Sequence, residues 1–237
     1  MTRRLWPEKE YIGLDCNRGI LRLDIRTPRS NFAGHDFDGV ELFPQSFDLF
    51  PTRIWQIRLK HLAAHFPGWL GAIESMRAAS PEPAGRTNRG GWNSAGHGML
   101  EMLAFAELRD TVRAQCRFVL GEMGQSDLAF RLQSWANIHD RGGFNFLHIH
   151  EGCLLSGVFY LRVPAGSGNL VFRDPRPGVL NSFAKGSGPN GHKDIQLRPD
   201  DGLLVIFPHW LEHFVEVHGS DLPRVAIAFN AVREADA

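Results

Sequence analysis

Cysteine is scarce in this chain: Cys16, Cys116 and Cys153 are spread over 237 residues with no CxxC pair among them. That spacing argues against a disulfide framework and against a cysteine-rich zinc site. A reducing, cytoplasmic setting is the simpler expectation. Net charge is also missing, because 26 Lys plus Arg balance 26 Asp plus Glu. Without a basic surplus, neither nucleic acid nor anionic membrane is expected as the main partner. No apolar run approaches the roughly 18 residues that a membrane helix needs. The opening MTRRLWPEKEY carries arginines but lacks the apolar stretch of a signal peptide. A soluble protein is expected. No internal repeat is visible.

What is present suits a globular fold. Hydrophobic residues make up 43% of the chain and aromatics 11%, enough for a sizeable core. Residues 1–41 are poorly patterned apart from an alternating piece at Ile20, Leu21, Leu23 and Ile25. They read as an N-terminal extension. Residues 48–57 predict a strand. Leu59, Leu62, Phe66, Leu70, Ile73 and Met76 then recur at helical spacing, with Pro67 and Gly68 expected to split or kink the helix. Residues 79–98 hold five Gly and two Pro and read as a loop. A second helix presents Leu108, Val112, Cys116, Val119 and Met123 on one face and stops at Gly124.

Beyond residue 127 the pattern changes to short strands separated by Gly, Pro, Asn and Asp. They are predicted at 128–139, 144–150, 154–163, 168–175, 194–199, 202–208, 211–217 and 224–232. Such a series predicts an all-β sandwich or barrel. The preceding helices, over 42–126, would buttress one face of the sheet, giving one domain over 1–237.

Of the eleven histidines, three stand out by position. His148 and His150 are two apart at the end of a predicted strand. Their side chains would therefore share a face with Phe146, while Leu147 and Ile149 take the other. Two imidazoles directed into one space from a rigid element suit a metal clamp; an exposed pair on a strand edge is the competing reading. His213 follows the apolar strand GLLVIFP and could complete a facial set of three ligands, with positions open for substrate or oxygen. His209 lies four residues before His213, but Pro208 and the flanking strand argue against the helix of a zinc protease, and Trp210 stands where such a motif needs glutamate.

Five segments carry a resemblance: HIHEGCLLSGVFYL at 148–161, GNLVFRDPR at 168–176, PDDGLLVIFP at 199–208, His213, and RVAIAFN at 224–230. In this order they resemble the Fe(II)/2-oxoglutarate-dependent oxygenase superfamily. More narrowly they are similar to a bacterial branch with an H-x-H…SGVYYL pattern. The resemblance covers roughly residues 42–232. It implies a double-stranded β-helix, or jelly roll, over 127–237, so an α+β chain that is mainly β. It implies Fe(II) held by His148, His150 and His213, and 2-oxoglutarate as cosubstrate. It further implies that Arg224, eleven residues after His213, binds the far carboxylate of 2-oxoglutarate through its planar fork. Tyr160 would help to hold that carboxylate, and Asn137 is a weaker cosubstrate candidate. The activity implied is oxidative decarboxylation of 2-oxoglutarate coupled to hydroxylation of a substrate that the sequence does not identify.

One departure bears on the chemistry. Most of the superfamily has Asp or Glu where this chain has His150. Three imidazoles carry one less negative charge and would alter the redox behaviour of the metal. Glu151 is the alternative ligand if the chain bulges near Gly152. Iron and zinc both suit three imidazoles. The competing functions are a three-histidine metalloenzyme without 2-oxoglutarate, either a small-molecule dioxygenase or a zinc hydrolase, and a non-catalytic jelly roll that binds a ligand or partner. Trp92, Trp135 and Trp210 are candidate pocket walls, with core packing as the competing role. Asn145 and Ser156 are candidate lining residues, and Asp174-Pro175-Arg176 a turn or substrate gate. Oligomeric state is open, with a homodimer among the options.

Overall fold

The structure, a computed structural model, describes residues 35–37, 40–42, 50–85, 87–181 and 192–234. The alternating piece from Ile20 to Ile25 and Cys16 lie outside the described residues. The chain divides into two compact units, 1–51 and 52–237. Of the first, the described part is an antiparallel hairpin of β1 (His35–Phe37) and β2 (Val40–Leu42).

The second unit opens with β3 (Trp55–Arg58), a 3-10 turn over Lys60–His65 and α1 (Phe66–Ala79). Pro67 lies in the first turn of α1. There its missing N–H leaves no helical bond unmade, so it starts the helix rather than kinking it. β4 (Asn88–Asn93) comes next, inside the stretch expected to be a loop, followed by 3-10 turns at Met99–Glu101 and Leu103–Phe105 and by α2 (Ala106–Glu122). α2 buries Leu108, Val112, Cys116, Val119 and Leu120; Met123, expected on that face, is the C-cap and is exposed. Gly124, at φ 74°, ends the helix. The Gly124 N–H donates to Gly121 O at 3.0 Å and the Gln125 N–H to Leu120 O at 2.8 Å, the paired bonds of a Schellman stop.

The remaining strands are β5 (Phe130–His148), β6 (Leu155–Arg162), β7 (Leu170–Arg173), β8 (Asp194–Leu197), β9 (Leu203–Pro208), β10 (His213–Val215) and β11 (Arg224–Arg233), with a short helix α3 (Pro177–Leu180) after β7. Two strands predicted at 128–139 and 144–150 are therefore one. The intervening Asp-Arg-Gly-Gly does not form a hairpin. Gly142, at φ 85°, absorbs an irregularity while the strand continues.

The strands form a curled antiparallel sheet in the order β3-β9-β6-β11-β5-β10-β7-β8, with β4 also paired to β5. This is the expected jelly-roll architecture with helices to one side. β5 joins its two halves: the part from Phe130 to His139 pairs with β11, and its far end pairs with β10. Side chains alternate between two buried faces. On β5, Phe130, Leu132, Ala136 and Ile138 join Phe159, Ile206, Ile227 and Phe229 and the apolar faces of α1 and α2 in one core. The alternate positions Gln133, Trp135, Asn137 and His139 line a cavity inside the roll. Both faces of the central strands are covered, which is why segments such as LLVIFP are apolar throughout.

Gly157 marks how tightly the central strands pack. A methyl group placed there would lie 2.7 Å from Val205 O and would also meet the ring of Phe229. Gly157→Ala is expected to cost about 1–3 kcal/mol of stability by overpacking, measured by urea denaturation.

Candidate metal centre and cosubstrate pocket

The cavity inside the roll has a volume of about 910 Å³. Its chemistry is set by what β5 presents at its C-terminal end and near its midpoint. At the C-terminal end, His148 lies directly opposite His213, the first residue of β10. His150 follows two residues on, where its N–H donates to His209 O at 3.0 Å. Ring centroids are 4.3 Å apart for His148–His213, 5.1 Å for His148–His150 and 5.2 Å for His150–His213. One ligand atom from each imidazole lies within 4.8 Å of the others, so the three could hold a metal ion together. Among the described residues this is the one such group of His, Cys, Asp or Glu. Neither Glu151 nor His209 is part of it.

Local hydrogen bonds decide which ring nitrogens are free. His148 Nδ1 lies 2.6 Å from Phe146 O, and His213 Nδ1 lies 2.9 Å from Leu211 O. A carbonyl only accepts, so each Nδ1 carries the proton and each Nε2 keeps a lone pair. That is the tautomer a metal requires, locked by the backbone. Burial lowers the proton affinity of all three, to about 4 for His150 and about 3 for His213. Desolvation opposes the charged imidazolium, so the cluster is neutral. Phe207 packs edge-on to His213 at 4.7 Å, and Trp135 stacks on His150 at 5.9 Å. These rings hold the imidazoles in place. The donor set fits a divalent transition metal.

The other end of the cavity carries one cation. Arg224, at the start of β11, is 2% exposed and lies directly opposite His139 of β5. Its Nη1–H donates to Gly168 O at 3.1 Å and its Nη2–H to His139 Nδ1 at 3.0 Å. Its Nε–H is buried without a partner. Among the described residues no carboxylate pairs with it. Tyr160 of β6 is fully buried, with its ring 5.7 Å below the guanidinium carbon; burial pushes its phenol up to about 12. A buried arginine with spare N–H groups and no counter-ion fits a carboxylate ligand, because an uncompensated buried charge is costly.

Asn137 lines the cavity between the two ends, where its Oδ1 accepts from Asn93 Nδ2. Asn145 also lines it, while Ser156 donates to Asn230 Oδ1 at 2.9 Å. Of the three tryptophans only Trp135 is a wall. Trp92 is core, with its Nε1–H on Ser80 O, and Trp210 is 44% exposed and away from the lining. Asp174 and Arg176 pair with each other at 2.7 Å across a turn. His139 and β4's Asn93 were not anticipated. His139 sits in a stretch that reads as the end of a strand, although its even spacing from Asn137 and Trp135 marks the inner face.

Comparisons with known proteins agree with this fold. Residues 133–230 match the family model described as "Putative 2OG-Fe(II) oxygenase". A Pseudomonas putida prolyl-4-hydroxylase structure is 17% identical, with a TM-score of 0.59 over 78% of this chain and 94% of that one. The α-ketoglutarate-dependent epimerase SnoN from nogalamycin biosynthesis is 14% identical, with a TM-score of 0.56 over 76% and 77%. HygX from Streptomyces hygroscopicus, solved with nickel, 2-oxoglutarate and hygromycin B, is 12% identical, with a TM-score of 0.53 over 76% and 83%. At these identities the structural likeness carries the fold. No curated protein matches the chain. No helix among the described residues is long and apolar enough to cross a membrane. The fold is the jelly roll that these oxygenase structures share. Within that fold, the segment 133–230, which holds His148, His150, His213 and Arg224, is similar to the 2OG-Fe(II) oxygenases.

The buried pocket should leave a mark on acid stability. His139 is pushed from 6.5 to about 3, by burial first, then by the Arg224 charge, against the Asn145 hydrogen bond, with His218 adding a smaller lowering. The unfolded chain takes up a proton near pH 6.5 that the folded chain refuses. Stability is therefore complete above about pH 6.5 and falls as pH drops toward 3, by up to about 1.4 kcal/mol per pH unit for this proton. In metal-free protein, His139→Asn should flatten the stability slope between pH 6 and pH 4.5 by up to one proton, as read by urea melts.

Proposed function

We propose that His148, His150 and His213 hold the Fe(II) ion through imidazole nitrogens, and that Arg224 with Tyr160 holds the far carboxylate of 2-oxoglutarate. The reading extends to hydroxylation of a substrate C–H bond. The observation that carries it is the pairing of two unlike features in one cavity. One is a cluster of neutral imidazoles, two of them with locked tautomers; the other is a buried arginine without a counter-ion. A dicarboxylate with a keto-acid end answers both at once.

When bound, Fe(II) and 2-oxoglutarate supply the oxidative chemistry that activates O₂. The chain supplies position and shielding. His148 and His213 keep Nε2 unprotonated by donating Nδ1–H to the backbone. Arg224 orients the cosubstrate by two parallel bonds that no single-point cation could make. Phe207, Leu170, Val158 and Val215 wall the cavity with apolar surface and limit water. Asn137, whose Oδ1 accepts from Asn93 Nδ2, would be a neutral contact for the cosubstrate. Readings without 2-oxoglutarate, as a zinc hydrolase or a three-histidine dioxygenase, leave the bare Arg224 charge without a purpose. A cytoplasmic setting is part of the proposal, in keeping with the free thiols Cys116 and Cys153.

Protein prepared without oxygen should bind one Fe(II) per chain and develop a weak visible charge-transfer band on adding 2-oxoglutarate. His213→Ala should abolish stoichiometric metal binding. Arg224→Ala should keep the metal but weaken 2-oxoglutarate binding about a hundredfold, the loss expected for a bidentate charged pair of roughly 3 kcal/mol. Zinc retained at one per chain, with no band and no effect of Arg224→Ala, would count against the assignment.

A further inference from the structure

We infer that His139 is a positioning residue that aims Arg224 at the cosubstrate while leaving the guanidinium charge unspent. The inference rests on the reading of Arg224 as the carboxylate anchor. The two residues face each other across the β11–β5 ladder, and both are buried, at 2% and 1% exposure. Arg224 has only donors, so the His139 Nδ1 that it meets at 3.0 Å must present its lone pair. The imidazole proton then sits on Nε2 and is donated to Asn145 Oδ1 at 2.7 Å. Asn145 turns its amide toward Thr87, donating from Nδ2 to Oγ1 at 3.0 Å. One chain of hydrogen bonds thus sets the tautomer and direction of each member, from the start of β11 to the segment before β4.

The choice of a neutral acceptor has a consequence for binding. A carboxylate in the place of His139 would orient Arg224 equally well, but it would neutralise the charge that an incoming anion needs. Both partners of Arg224, His139 Nδ1 and Gly168 O, are uncharged acceptors. Of the five N–H groups of a guanidinium, they take two and leave three, the orphaned Nε–H among them. The side chain is held still, yet it remains a full cation with a free edge. Holding it in advance also spares the ordering cost that a long side chain would pay on binding. A protonated His139 would instead set a second cation against Arg224, so the neutral tautomer is part of the device.

The test titrates 2-oxoglutarate into Fe(II)-loaded protein without oxygen and reads the charge-transfer band, so no primary substrate is needed. His139→Leu should weaken 2-oxoglutarate about 10- to 100-fold, the loss of one charge-assisted hydrogen bond, with Fe(II) affinity unchanged. His139→Asn, whose Oδ1 can take the place of Nδ1, should restore most of the affinity. Asn145→Ala, a milder change, should weaken it severalfold and covers the case in which the leucine variant does not fold. Equal affinity in all four proteins overturns the inference. So does an asparagine variant as weak as the leucine one, because packing rather than acceptance would then explain the loss. A wild-type protein that binds Fe(II) but shows no band at any 2-oxoglutarate concentration overturns the anchor reading beneath it.

Discussion

The pairing of β5 with two different neighbours sets the geometry of the whole site. Its first ten residues run against β11, and its last residues run against β10. The first pairing sets His139 opposite Arg224; the second sets His148 opposite His213. One continuous strand therefore carries a residue of the proposed cosubstrate end and a residue of the proposed metal end. Gly142 lets that strand bend between them without ending. Helices α1 and α2 bury the opposite face of the same strand, so the core that stabilises the fold also holds the site rigid.

The two ends of the cavity have opposite electrostatic deficits. At the proposed metal end, three neutral imidazoles offer lone pairs but no negative charge. At the other end, Arg224 offers a positive charge that nothing in the described chain compensates. A metal bound by two histidines and a carboxylate would have one of its charges met by the protein. In the proposed three-histidine set the protein would meet none, so anionic ligands would supply the balance. The proposed set would thus make metal and dicarboxylate more dependent on each other. The role inferred for His139 fits the same pattern, because its neutral Nδ1 meets Arg224 without neutralising it.

Much of this was legible in the residues. The H-x-H spacing and the distal His213 pointed to the cluster, because strand alternation makes such spacing geometric; Arg224 came from the family resemblance. The series of short strands pointed to a sandwich or barrel, and the family resemblance narrowed it to the jelly roll. What was hidden has physical reasons. β4 reads Asn-Arg-Gly-Gly-Trp-Asn, with the glycines of a turn, and becomes a strand because β5 offers it an unpaired edge. The Asp-Arg-Gly-Gly in β5 carries every local mark of a hairpin, but β4 pairs with β5 on both sides of it. His139 lies just before that apparent break. Its role depends on Arg224 arriving from residues far along the chain, which no local pattern encodes.

The central claim is that three imidazoles and no protein carboxylate bind the metal. X-ray absorption on Fe(II)-loaded protein, prepared without oxygen and before adding 2-oxoglutarate, tests it directly. Imidazole rings give a distinctive multiple-scattering pattern, which counts them. The account predicts three histidine rings per iron, falling to two in His150→Ala. Two rings in the native protein, with a carboxylate shell that disappears in Glu151→Gln, would contradict it.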